Sequence, residues 1–416
     1  MSAAHKKFFK LKVTAIVLLS VIIAVGGVYG VSRIQLSVLK DQNIYGYVTP
    51  NEWSDALAFD AGDYYSLTVK DGETLEVLML TDTHFNNGGW YANYLWFGEA
   101  LNKAVYGDIK KLIKQTNPDF IYITGDLHTA SMSDIVYTEF CKFMADFKIP
   151  WTLTMGNHDA EHRADKAKIA EILTAAEYCV YDIGFTNLNG LGNTVIPIKD
   201  GGGRIIYAFV LMDFGDWQLR KNPDKQYSTY DAGVTDMQLY WYEWVINGLT
   251  AAAGKPVETM LLAHIPFHAV TYAAKLVQAG KTLSADDKYI NGSDPFDTES
   301  EFGYVTAEYA LFREAYKAAG DKGYDILTVE GYYEYKANDA FFKLITDLDS
   351  TKYVVSGHNH CDGYTVRFDG ITYTSVVKTG DIYVSRDWDN GNRGGTIFAF
   401  KNNGGVLDIT NERLYV

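Results

Sequence analysis

Past residue 32 the chain alternates short β-branched or aliphatic runs with amphipathic stretches, the pattern of buried parallel strands joined by helices. Five runs stand out as central strands: Leu75 to Leu80, Phe120 to Thr124, Trp151 to Met155, Met260 to Ala263 and Tyr353 to Ser356. Between them apolar residues recur at helical spacing. Tyr94 to Gln115 stops at Asn117-Pro118, Ser133 to Phe147 stops before Pro150, and Ala164 to Ala176 carries Ile169, Ile172 and Leu173 on one face. Thr235 and Gln238 stand at capping-box spacing at the head of a helix running to Leu249. Val195 to Met212, around Asp200-Gly201-Gly202-Gly203, and Tyr364 to Tyr373, around Asp369-Gly370, are antiparallel in character. A mixed α/β sandwich follows, and no repeat period is present.

The N-terminus obeys a different rule. Residues 1–12 hold Lys6, Lys7, Lys10 and Lys12, and Val13 to Val31 is an uncharged apolar run. That run is long enough to span a bilayer, and the lysines before it keep the N-terminus in the cytoplasm. The expectation is a single-pass anchor in the cell membrane over 13–31, a stalk and lead-in strand over 32–72, and the α/β domain, outside the cytoplasm, over 73–416. A cleaved signal peptide, with a fair cut site at Val28-Tyr29-Gly30, is the alternative and would give a secreted protein.

Composition narrows the function. With 47% hydrophobic and 14% aromatic residues in 416, a large core is available and disorder is excluded. The formal charge of −15 repels polyanions, so no nucleic-acid polymer is expected as a partner. Three cysteines, an odd number, cannot form a disulfide framework.

The chemistry sits immediately after the five apolar runs. There stand Asp82-Thr83-His84, Gly125-Asp126, Gly156-Asn157-His158-Asp159, His264 and Gly357-His358-Asn359-His360. Ligands bind at the C-terminal edge of strands in α/β sheets, and His, Asp and Asn are donors for borderline divalent metals. Alone, each motif reads equally as a polar turn; together, in order and all at strand ends, they point to a metal site, and five of the 9 histidines fall there.

In these motifs the chain resembles the calcineurin-like metallophosphoesterases, whose signature D-x-H, G-D, G-N-H-[DE], H and G-H-x-H occurs here in that order over roughly Leu75 to Phe400. The details lie closest to the non-purple branch, similar to purple-acid-phosphatase-like phosphohydrolases. The resemblance implies a four-layer α/β-β/α sandwich with two divalent or Fe/Zn/Mn-type metal ions at its mouth. It puts Asp82, His84 and His360 on one ion, Asn157, His264 and His358 on the other, and Asp126 on both, with His158 facing the substrate as the catalytic histidine. It implies hydrolysis of a small-molecule phosphoester, a monoester first and a phosphodiester or nucleotide as the alternative, by hydroxide shared between the ions. Thr129 stands where the purple branch has a tyrosine ligand and the calcineurin type an aspartate, so no tyrosinate–iron colour is expected and the usual partner of the catalytic histidine is missing. Asp159 is adjacent in sequence to that histidine.

Two further histidines are candidates for substrate contact: His128, two residues after Asp126, and His268, four after His264. A plain loop role is the alternative for each. The acidic stretch 271–303 reads either as a lid or as a solvated loop. An anchored binding protein with an idle site is the non-enzymatic reading; none of the seven ligand positions is missing.

Overall fold

The structure, a computed structural model, describes residues 20, 52–85, 97–128, 133–159, 166–214, 234–266, 268–278, 280–292, 332–333, 336–337, 339–358, 360, 363–380 and 393–416. The strands β2 (Thr74–Leu80), β3 (Phe120–Ile123) and β4 (Trp151–Leu153) pair in parallel, and β12 (Gly394–Asn403) and β13 (Val406–Tyr415) extend them antiparallel in the order β13-β12-β2-β3-β4. A second sheet joins β1 (Leu67–Thr68), β5 (Thr194–Lys199), β6 (Ile205–Leu211), β7 (Thr259–Leu262), β8 (Lys288–Gly292), β9 (Thr351–Ser356), β10 (Tyr364–Phe368) and β11 (Ile371–Ser375) in the order β1-β5-β6-β7-β9-β11-β10-β8.

Both faces of these strands are covered, which is why Val77 to Leu80 is an unbroken apolar run and why even the threonines of Trp151 to Met155 are buried. In β2, Val77 and Met79 point into the space between the sheets with Phe209, Leu262 and Phe398. Leu78 and Leu80 point the other way, onto Ile109 of α1 (Phe97–Thr116), Phe140 of α2 (Ser133–Ala145) and Ile172 of α3 (Lys166–Ala175). The second sheet repeats the arrangement: Val210 and Leu261 face Trp241 and Val245 of α4 (Asp236–Ala253), Ala273 of α5 (His268–Gln278) and Ile345 of α6 (Ala340–Leu348). Three cores therefore separate four layers, and each fully buried Val, Leu or Phe contributes about 1.5–3 kcal/mol. The capping box forms: Gln238 N–H donates to Thr235 Oγ1 and Thr235 N–H to Gln238 Oε1, starting α4, which Gly254 ends at φ 69°.

The five central strands do not share one sheet. Three lie in the first and two, β7 and β9, in the second, because the chain crosses from one sheet to the other between α3 and β5, and the β5–β6 hairpin then starts this part of the second sheet. The stretch read either as a lid or as a solvated loop contains regular structure among its described residues. Residues 268–278 form α5, with Ala273, Ala274 and Leu276 buried, and β8 pairs with β10 at a sheet edge. Asp287 accepts from the N–H groups of Leu283, Ser284 and Asp369, which ties this connection to the β10–β11 turn. Residues 293–303 lie outside the described residues. So does the apolar run 13–31, apart from Ser20; among the described residues no helix is long and apolar enough to cross a membrane.

Candidate metal centre

The motif loops leave the C-terminal ends of strands in both sheets and meet between them. Asp82 and His84 follow β2, Asp126 follows β3, Asn157 and His158 follow β4, His264 follows β7, and His358 and His360 follow β9. Main-chain bonds cross-tie the loops. Asp82 N–H donates to Gly125 O at 3.1 Å, His84 N–H to Asp126 O at 3.0 Å, Gly357 N–H to His264 O at 3.0 Å and Gly380 N–H to Asp82 O at 3.1 Å. These ties hold four non-glycine residues in the left-handed region: Asp82 (φ 51°), His84 (φ 47°), Asp126 (φ 51°) and His358 (φ 68°). Such conformations cost of order 1–3 kcal/mol each and persist where the surroundings over-determine them.

Two glycines permit the close approach. A Cβ on Gly156 would collide with Asp126 Oδ1, and one on Gly357 with the hydroxyls of Thr81 and Thr124. Any side chain there would push the loops carrying Asn157 and His358 away from the two aspartates.

The side chains fall into two groups that share one carboxylate. Asp82, His84, Asp126 and His360 each offer a donor atom, all within 4.8 Å of one another, and so do Asp126, His264 and His358. In the first group His360 Nε2 is 3.1 Å and His84 Nε2 3.6 Å from Asp82 Oδ1. In the second, His264 Nε2 is 3.1 Å from Asp126 Oδ2, and Asn157 Oδ1 lies 3.2 Å from His264 Nε2 and 3.0 Å from His358 Nδ1. All seven residues expected from the motifs therefore converge. Asp82 Oδ1 and Asp126 Oδ2 are buried and accept no hydrogen bond, a costly arrangement for carboxylate oxygens unless a cation uses them. His264 Nδ1 lies 3.1 Å from Thr124 O, which can only accept, so this nitrogen carries the proton and Nε2 is left to face Asp126 and an ion. The residues fit a pair of ions bound by nitrogen and carboxylate donors.

Charge pairing within the cage opposes the effect of its burial. Burial pushes the Asp126 carboxyl up, but His264, His158 and His84 around it win and hold it well below the usual carboxylate range. Burial works against protonation of His264, yet the charge of Asp126, and then of Asp82 and Asp159, raises that imidazole to about 9. Burial pulls His84 down to about 4 despite the two aspartates beside it. Near neutral pH His264 is thus a cation paired with Asp126, while His84 is neutral. The His264 pair contributes stability that is fully present below the imidazole's ordinary value of 6.5 and is lost as pH rises through about 9. A metal must displace that proton. Loading at pH 7.5 is expected to release close to one proton from His264, and this group alone should raise apparent metal affinity about tenfold per pH unit up to about pH 9. Titration calorimetry in buffers of different ionisation enthalpy measures the release; none at pH 7.5 would count against this pairing.

His158 lies at the edge of the cage, 13% exposed, with Nε2 3.9 Å from Asp126 Oδ2 and its own N–H donating to Asp126 Oδ1 at 2.8 Å. His128 is instead fully buried, its ring 5.8 Å from that of Tyr137, so its place is in the floor and not at the mouth. His268 opens helix α5. Thr129 is outside the described residues.

Asp159 has a role that sequence adjacency to His158 does not suggest. Its carboxylate accepts from the N–H groups of Gly156 (2.7 Å), Asp126 (2.9 Å), Leu127 (3.0 Å) and His128 (3.4 Å). It clamps the loop of the shared aspartate to the loop of Asn157 and His158. Thr81 was also missed: its hydroxyl donates to Asp82 Oδ2 at 2.5 Å, and His358 N–H donates to the same oxygen at 3.0 Å, which leaves Oδ1 for the cage. The hydroxyl residues preceding Asp82 and Gly125 were the available signal.

Comparison with known proteins decides the family. A model of the calcineurin-like phosphoesterase family matches residues 75–284, just over half of the chain. The chain belongs to that family. Its relatives include an uncharacterised Schizosaccharomyces pombe protein, 26% identical over 224 residues, which are 51% of this chain and 41% of that protein. An Arabidopsis thaliana protein whose name marks it as an inactive purple acid phosphatase is 21% identical over 202 residues, 42% of this chain and 49% of its own. The chain spans less than half the length of each of these curated relatives. Among solved structures, a dimetal phosphatase from Danio rerio aligns with 82% of this calcineurin-like phosphoesterase and 99% of its own chain, at 10% identity and a TM-score of 0.42.

Proposed function

We propose that this phosphoesterase is a catalytically active, binuclear metal-dependent hydrolase of small phosphomonoesters. The observation that carries the reading is the sharing of Asp126 Oδ2 between two donor groups, with both buried aspartates left with an open oxygen. Asp82, His84 and His360 would hold one ion, Asn157, His264 and His358 the other, and Asp126 both. When bound, two such cations supply Lewis acidity, lower the pKa of water and offset charge on phosphoryl oxygens.

The chain's own residues account for the rest. Asp159 and the crossed backbone bonds keep the two halves in register without further ordering at the moment of reaction. His158, at the rim, is placed to hold a proton at Nε2 and deliver it to the leaving oxygen as the bond to phosphorus breaks. One relative's name marks it inactive; here no ligand position is lost, which supports activity over an idle site. The lysines and the apolar run at 13–31 support an N-terminal membrane anchor with the catalytic domain outside the cytoplasm.

The test is hydrolysis of an aryl phosphomonoester and a bis-aryl phosphodiester by the purified protein, loaded with Mn, Zn or Fe and then chelated. Turnover abolished by chelation and restored by metal is expected, faster on the monoester. Faster turnover of the diester would move the assignment to the alternative substrate class, and no turnover with two ions bound would favour a binder.

A further inference from the structure

Away from the metal centre, α4 carries a notch whose chemistry the phosphoesterase reading leaves unused. Tyr240, Trp244 and Gly248 succeed one another at four-residue spacing on one face of the helix. A glycine inside a helix costs about 1 kcal/mol relative to alanine. Here it makes a seat, because a Cβ on Gly248 would collide with the ring of Phe59. Phe59 stands against Trp244 at an interplanar angle of 72°, centroids 5.2 Å apart, and its ring also stacks with Tyr64. Trp244 is pinned by its own N–H, which donates to Leu57 O at 2.9 Å. Phe59 and Trp244 are thus held at 72° to one another before any ligand arrives, both lining the cleft, and Tyr240, 60% exposed, adds a third ring.

Beside these rings lies a cleft of about 680 Å³, with Asp55, Glu243 and Asn247 as its polar lining. Among the described residues no lysine, arginine or histidine lines it. Aromatic faces carry negative quadrupole density and attract a cation within about 6 Å, most effectively where the cation is poorly hydrated. The carboxylates add attraction of the same sign and disfavour anions and purely apolar guests. A bare metal ion would find too few oxygen donors among rings. The geometry points to this cleft as a binding site for a small quaternary or methylated ammonium ion, distinct from the phosphoester site.

The probe is choline, titrated calorimetrically into the purified full chain in a non-ionic detergent, beside 3,3-dimethylbutanol, its neutral isostere. Saturable choline binding is expected, with the isostere at least roughly tenfold weaker. Tyr240→Ala and Glu243→Gln should each weaken choline roughly two- to thirtyfold. Both side chains are exposed, so thermal unfolding and metal content should be unchanged, and chelation of the metal centre should leave choline binding intact. Equal affinity for the isostere, no saturable choline binding, or full affinity in both variants would each overturn the assignment. Binding to phosphatidylcholine vesicles without any response to free choline would overturn it as a site for a soluble ion.

Discussion

Asp126→Asn is expected to cost on the order of 10³-fold or more in turnover and to leave the protein unable to retain two ions. Asp126 belongs to both donor groups, and its open oxygen is 3.1 Å from His264 Nε2 and 3.9 Å from the Nε2 atoms of His84 and His158. Asparagine preserves shape and can still accept the His158 N–H through its oxygen, so the loop keeps its path while the shared negative charge is gone. The same change removes the main influence that raises His264, whose imidazole should fall from about 9 toward its ordinary value. Elemental analysis, phosphomonoester kinetics and histidine NMR read the three effects separately. A variant that holds two ions and works within tenfold of the natural protein would end the case for a shared carboxylate.

For His158→Ala the expectation is retention of both ions with turnover reduced about 10²- to 10⁴-fold. The histidine's N–H bond to Asp126 belongs to its backbone and survives truncation, whereas the imidazole at the rim does not. The loss should be largest for alkyl phosphates, whose leaving oxygen needs a proton, and smallest for nitroaryl phosphates, whose leaving group departs as the anion. A metal-free variant would mean that His158 is a ligand; equal losses across leaving groups would mean that its proton is not delivered there.

The fold was legible where both faces of a strand are buried. Val77, Leu78, Met79 and Leu80 all enter cores, so this part of β2 appears as an unbroken apolar run, and Thr235 with Gln238 marks α4 by hydrogen-bonding chemistry local to four residues. The β12–β13 hairpin carried no such mark. β13 alternates between half-buried and exposed positions along a sheet edge, and its turn at Gly404-Gly405, with φ of 69° and 89°, was the one clear local sign. The 271–303 stretch looked like surface because its charges stand close together; Asp287, however, is turned inward to satisfy three backbone N–H groups.

The identities of the metal-binding side chains are written in the chain because ligation demands particular atoms, and a strand end followed by Asp, Asn or His offers them directly. Distance along the chain carries no information about which of these groups share an ion. Asp82 and His360 are brought to 3.1 Å by the docking of one sheet on the other, and Asp159 became the clamp between two loops only because the N–H groups of Asp126, Leu127 and His128, 31 to 33 positions away, were delivered to the carboxylate that also accepts from nearby Gly156. Packing of the interior between the sheets supplies that convergence, and with it the left-handed backbone at Asp82, His84, Asp126 and His358 that no short segment would adopt unaided.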